Sequence, residues 1–117
     1  MNIDNYSFHD ALILEVKETP KEQILDFLID FPVDWENNVF EKRVLRFNNV
    51  VLYSIDEISF DGQPAIMNIL NNGIIKRLIG SGRNQIEIVR QQIEIQTNAG
   101  KRIIEFSDCE FIKQNEQ

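Results

Sequence analysis

The chain is predicted to fold as a mainly β domain, an antiparallel sandwich or half-open barrel with at most one or two short helices. Three observations carry that expectation. Apolar residues recur at every second position in several segments. Isoleucine is used 18 times and phenylalanine eight times, a choice that suits pleated, half-buried surfaces. Asn, Gly and Pro punctuate the apolar segments at short intervals, as hairpin turns require. With 117 residues, the chain is long enough for one core and too short for two ordinary ones, so 1–117 is read as a single domain.

The best-determined stretch is 85–112. Ile86, Ile88, Ile93 and Ile95 alternate with polar residues up to Asn98-Ala99-Gly100, and Ile103, Ile104, Phe106, Cys109, Phe111 and Ile112 follow. Two such runs around an Asn/Gly segment predict an antiparallel hairpin. A four-residue loop pairs Ile95 with Ile104 and Ile93 with Phe106, which keeps apolar residues together, so that register is preferred over a three-residue turn. The apolar phase flips between Ile88 and Ile93 and again between Phe106 and Cys109, which predicts a bulge or a strand crossing between sheets.

From the start, Leu12, Leu14 and Val16 share one face of a first strand. Thr19-Pro20-Lys21-Glu22 opens either a strand, with Leu25, Phe27, Ile29 and Phe31 on one face, or a capped helix with Ile24, Phe27, Leu28 and Phe31 on a stripe. The strand is favoured because β-suited segments precede and follow, and Pro32 is expected to end either element. Val33 to Asn38 reads as loop and Val39 to Phe47 as the next apolar segment. Val50 to Ile55, apolar on both faces, predicts a central strand. Asp61-Gly62-Gln63-Pro64 breaks the chain. Pro64 to Asn72 predicts a short helix with Gly73 just past its end. Ile74 to Ile79 suits either type, and Gly80-Ser81-Gly82-Arg83-Asn84 reads as a flexible connector.

One Cys and one His cannot assemble a structural zinc site, which needs about four ligands, nor an intrachain disulfide. No cofactor or metal is expected. The N-terminus lacks a basic region followed by an apolar one, and no run approaches the ~20 apolar residues of a membrane span, so a cytoplasmic protein without membrane contact is expected. Net charge is −7, and residues 1–61 hold 13 acids against five bases. Glu22, Asp26, Asp30, Asp34, Glu36 and Glu41 form a run without Lys or Arg. That field repels phosphate backbones and attracts basic proteins, so nucleic-acid binding is disfavoured.

Candidate chemistry is sparse. His9-Asp10 resembles a metal-binding pair whose other histidines are missing here, so His9 is read as an anchor of the first strand. Cys109, between Asp108 and Glu110 and in phase with Phe111, reads as core packing. Gly80-Ser81-Gly82-Arg83 lacks the spaced glycine and Lys-Ser/Thr of a phosphate-binding loop. The carboxylates from Asp26 to Glu36 match no calcium-loop spacing and read as a solvated face. Trp35, between Asp34 and Glu36, is either an aromatic anchor for a partner or a cover for the core edge.

Phe8-His9-Asp10-Ala11 followed by Ile13, the later Phe47-Asn48-Asn49-Val50, and Ile93-x-Ile95-x-Thr97-Asn98-x-Gly100 with Ile104 and Phe106 resemble a group of small, largely uncharacterised β-rich bacterial proteins. Some of these are similar to immunity proteins of polymorphic toxin systems, which bind and neutralise a partner toxin. The resemblance carries over no catalytic residue and implies a β-rich, non-enzymatic module.

The expectation is therefore a protein-binding module without enzymatic activity, whose immunity-type form neutralises a basic toxin through Asp26, Asp30, Asp34, Trp35 and Glu36. Its rival is a small-ligand-binding β-barrel, or an enzyme using His9 with carboxylates, either of which needs a pocket.

Overall fold

The period-two segments all become strands, and two four-stranded antiparallel sheets pack face to face as a sandwich. The computed structural model describes residues 2–34, 36–59 and 62–113. In chain order the strands are β1 (Leu12–Thr19), β2 (Ile24–Asp34), β3 (Val39–Asn48), β4 (Leu52–Glu57), β5 (Ile66–Ile79), β6 (Ile86–Thr97), β7 (Gly100–Phe106) and β8 (Asp108–Lys113). The first sheet has the order β1-β2-β3-β8 and the second β4-β7-β6-β5. Three short 3-10 turns, Ile3–Asn5, Pro20–Glu22 and Gly82–Asn84, are the helical segments among the described residues. No helix among them is long and apolar enough to cross a membrane.

Alternation decides which side chains meet between the sheets. Leu25, Phe27 and Ile29 of β2 and Leu45 and Phe47 of β3 face Ile93 and Ile95 of β6 and Ile104 and Phe106 of β7, all buried. Phe47 contacts Phe106 at 4.8 Å and Phe27 at 5.8 Å between ring centroids, both edge-on, the geometry that ring quadrupoles favour. The chain changes sheet at Asn49–Val51 and again at Ser107, and the Ser107 amide donates to the Asn48 carbonyl at 3.0 Å, tying the two crossings together. The phase flip between Phe106 and Cys109 is this second crossing.

Several expectations hold and several are corrected. Residues 24–31 are strand, with Leu25, Phe27 and Ile29 inward as the alternation indicated. Pro32 does not end β2, which continues to Asp34. The partner strand β1 pairs only as far as Asp30, so the missing Pro32 amide breaks no ladder bond on that side. In β1 the phase is shifted, because a bulge between Ile13 and Glu15 turns Ile13 and Val16 to the core in place of Leu12 and Leu14. The segment 64–72 is not a helix: from Ile66 it pairs with β6 as β5, interrupted by two bulges whose extra residues imitate a helical spacing of apolar side chains. Strand β4 is an edge strand and not a central one, and its Ile55 is exposed.

The β6–β7 hairpin exists, but its loop is the two residues Asn98-Ala99, with Thr97 opposite Gly100, Ile95 opposite Arg102 and Ile93 opposite Ile104. The four-residue register has the correct inner face but is slid by two residues, because it opposes apolar residues only and leaves no place for Arg102 opposite Ile95. Arg102 lies on that inner face, where a carboxylate awaits it. Gly100 is required here: its φ is +152°, and a Cβ would collide with the Asp56 carbonyl of the adjacent β4.

Candidate partner-binding arm

The hairpin β5–β6 is the longest pairing in the molecule, in register from Ile66 opposite Thr97 to Ile79 opposite Ile86. Its neighbour β7 covers β6 only as far as Gln91, which pairs with Phe106 before the chain leaves for the other sheet. Residues 75–79 and 86–90 therefore form a two-stranded ribbon beyond β7, with Gly73 and Ile74 at its base. The molecule measures 59 × 34 × 24 Å. The longest strand of the first sheet, β2, accounts for only about 36 Å at ~3.3 Å per residue, and the ribbon supplies the excess length. The segment that read as a flexible connector is its tip, turned by Gly82–Asn84.

A bulge at Asn72 sets the ribbon's base. Gly73 takes φ +85°, its amide donates to Asn71 Oδ1 at 3.0 Å, and Asn72 Nδ2 donates to Gln92 Oε1 at 2.9 Å. Register and alternation then sort the side chains. Ile74, Lys76, Leu78, Glu87, Val89 and Gln91 continue the inner face of the sandwich, while Ile75, Arg77, Ile79, Ile86, Ile88 and Arg90 continue the outer face. In the body, the first sheet covers the inner face. Along the ribbon Ile74 is 65% exposed, Leu78 66% and Ile86 64%, with Val89 and Ile79 about half exposed. A strand apolar on both faces is the pattern of a strand buried on both faces; here the inner face is uncovered, and the outer face is half-buried at Ile75 and Ile88 and exposed at Ile79 and Ile86.

The ribbon's direction is fixed by a polar clasp. Glu105 of β7, 1% exposed, accepts from Arg77 Nε and Nη2 at 2.6 Å each and from Gln92 Nε2 at 2.8 Å. These bonds from Arg77, opposed by burial and helped by Gln92, hold the Glu105 carboxyl below the ordinary glutamate range. On the other edge Arg90 Nε donates to the Asn49 carbonyl at 2.8 Å. The arm is thus held at its base from two sides and left bare beyond.

The residues expected to contact a partner are distributed differently. Asp26, Asp30 and Asp34 lie along β2, Glu36 is in the turn after it, and Trp35 falls outside the described residues. Asp26 takes a two-pronged pair from Arg46 at 2.8 and 3.0 Å and lies opposite Lys17, and Asp30 lies opposite Lys42. The run that is purely acidic along the chain is thus interleaved with cations across the sheet. Asp34, held below the ordinary aspartate range by the Asn37 side chain and amide, serves as a turn cap.

His9 anchors the segment before β1 across the sheet. Its Nδ1 lies 2.9 Å from the Met67 carbonyl, to which it donates, and Asp10 is 3.6 Å from Nε2. A cleft of 260 Å³ opens beside it, lined by Ile3, Tyr6, Phe8 and Met67 among others. Cys109 is buried, and that burial pushes its thiol above the ordinary value. Among the described residues no group of three or more His, Cys, Asp or Glu side chains is gathered as a metal site requires.

Ile74–Ile79 and Ile86–Val89 flank Gly80–Asn84, which is itself a hairpin pattern. Comparison with protein families, curated proteins and solved structures finds no match to this chain.

Proposed function

We propose that the protein is a non-enzymatic protein-binding module that engages its partner through the β5–β6 arm. The observation that supports this most is the pair of bare apolar faces, Ile74, Leu78 and Val89 on one and Ile79 and Ile86 on the other. Isolated two-stranded ribbons are marginal in water, and contiguous apolar surface on a small domain marks interaction sites. The binding of His9 to a main-chain carbonyl favours an anchoring role for that imidazole over general-base chemistry.

The immunity-type form of this reading, in which the partner is a toxin, places the arm at the contact. Residues 73–92 carry four bases (Lys76, Arg77, Arg83, Arg90) against one acid (Glu87). This basic, apolar ribbon fits an acidic, apolar counter-surface better than the basic one expected from the linear run of acids. The test is a photo-crosslinking residue placed at Leu78 or at Asp30 in cells that make the protein. One discrete adduct from position 78 and none from position 30 is the expected result. Adducts from position 30 alone would return the contact to the β2 acids.

A further inference from the structure

We infer that the inner face of the arm is covered by the arm of a second copy of this chain, the two related by a two-fold axis. The inference rests on the arm being the contact surface and names its occupant. Along the body, each inner face of the second sheet is covered by the first sheet; along the arm that layer is missing, and a copy turned end for end supplies it.

The charges on this face are self-complementary. Besides Ile74, Leu78 and Val89 it carries one cation, Lys76, and one anion, Glu87, displaced along the ribbon. A two-fold axis reverses direction, so Lys76 of each copy meets Glu87 of the other while the apolar residues interleave. The ends match as well. The arm leaves the body beside Asn49, at the end of the first sheet where Glu22, Asp26, Asp108 and Glu110 outnumber Lys21 and Arg46. Two antiparallel arms bring each basic tip, with Arg83, to that acidic end of the other copy. With the Arg77–Glu105 pair set aside, residues 73–92 carry a net +2 and the rest of a −7 chain −9, so arm and body attract between copies.

The arm is roughly 23 Å long at ~3.3 Å per residue and about two strands wide. With the tip contacts, it buries roughly several hundred Å² per copy, short of the ~800 Å² of a standard interface, so the dimer is expected to dissociate on dilution.

The test is sedimentation of the purified full chain at about 100 µM and after dilution. The expected mass is twice 13.7 kDa at the high concentration, falling toward the single-chain mass on dilution. Lys76→Glu and Glu87→Lys each place like charges across the axis and should weaken association by about tenfold or more. Mixing the two variants should restore a dimer, because an acidic arm then meets a basic one, whereas any pairing within one chain stays broken. Leu78→Lys should also give a monomer, with an unchanged circular dichroism spectrum showing that the body is folded. A wild-type monomer at about 100 µM overturns self-pairing; if position 78 still cross-links to another protein, the arm remains the contact surface with a different occupant. A dimer that survives Leu78→Lys, or a mixture that stays monomeric, also overturns the inference.

Discussion

Replacing Arg102 with alanine is expected to destabilise the fold by about 3–5 kcal/mol, because it leaves a buried carboxylate without its counter-charge. Arg102 Nε and Nη2 donate to the two oxygens of Glu57 at 2.9 and 2.7 Å, Nη1 donates to the Tyr53 hydroxyl at 3.0 Å, and Thr97 Oγ1 donates to Glu57 at 2.8 Å. The Arg102 and Glu57 side chains are each 9% exposed. The guanidinium also lies 5.9 Å from the Phe27 ring centroid, so the network closes one end of the core as well as neutralising it. Burial alone would raise the Glu57 carboxyl, but the hydrogen bonds from Arg102 and Thr97 outweigh it and hold the group below the ordinary range.

The sign of the pH dependence follows. A carboxylate lowered in the folded state contributes stability that is complete above the unfolded value of about 4.3 and is lost as pH falls through the folded value. Glu57 and Glu105 share this direction, so urea midpoints should decline on acidification below about pH 4.3. In Arg102→Ala the Glu57 part of that decline should vanish. Urea titrations of both proteins between neutral and acid pH measure it; a variant within about 1 kcal/mol of wild type would show the pair to be dispensable.

Phe27→Ala is expected to cost about 3–5 kcal/mol for a different reason. The ring is fully buried at the centre of the sandwich, edge-on to Phe47 and to Tyr53 at 5.8 Å each. Tyr53 lies across the interface in the second sheet, so the cavity left by alanine opens between the layers, where rigid strands collapse poorly. Calorimetric melting should show a Tm lower by ten degrees or more, on the usual scale of ~4–8 °C per kcal/mol for a domain of this size. Phe27→Leu, which keeps most of the volume, should recover much of the loss.

How far the sequence revealed this molecule depends on whether a residue's role was set by its neighbours along the chain. Leu25, Phe27 and Ile29 declare β2 because that face is fully buried from Leu25 to Ile29. The crossing at Ser107 was legible as a phase flip for the same reason. Arg102 was not legible as an inward residue, because what makes it tolerable is Glu57, 45 residues away. Opposing apolar residues with apolar ones alone displaces the hairpin register by two, because Arg102 in fact lies opposite Ile95. The bulges in β5 hid its period, so Ile66, Ile69 and Leu70 imitated a helix. At the site, Asp26 and Asp30 looked like a patch because Arg46 and Lys42 are distant in sequence and adjacent across the sheet. The arm is not legible because Ile74–Ile79 is a brief apolar run that suits helix or strand alike, and Gly80–Asn84 reads as a connector until Ile79 is found opposite Ile86.

Hydrogen exchange measured with the contact engaged and released separates the arm from the β2 acids most directly. For self-association, the two states are the chain well above and well below its dissociation concentration. Amides of 75–90 lie in a two-stranded ribbon with open edges and are expected to exchange fast when released and to gain protection when engaged, while 24–34, already paired on both sides over much of its length, stays unchanged. Protection gained over 24–36, with none over 75–90, would contradict the arm as the contact surface.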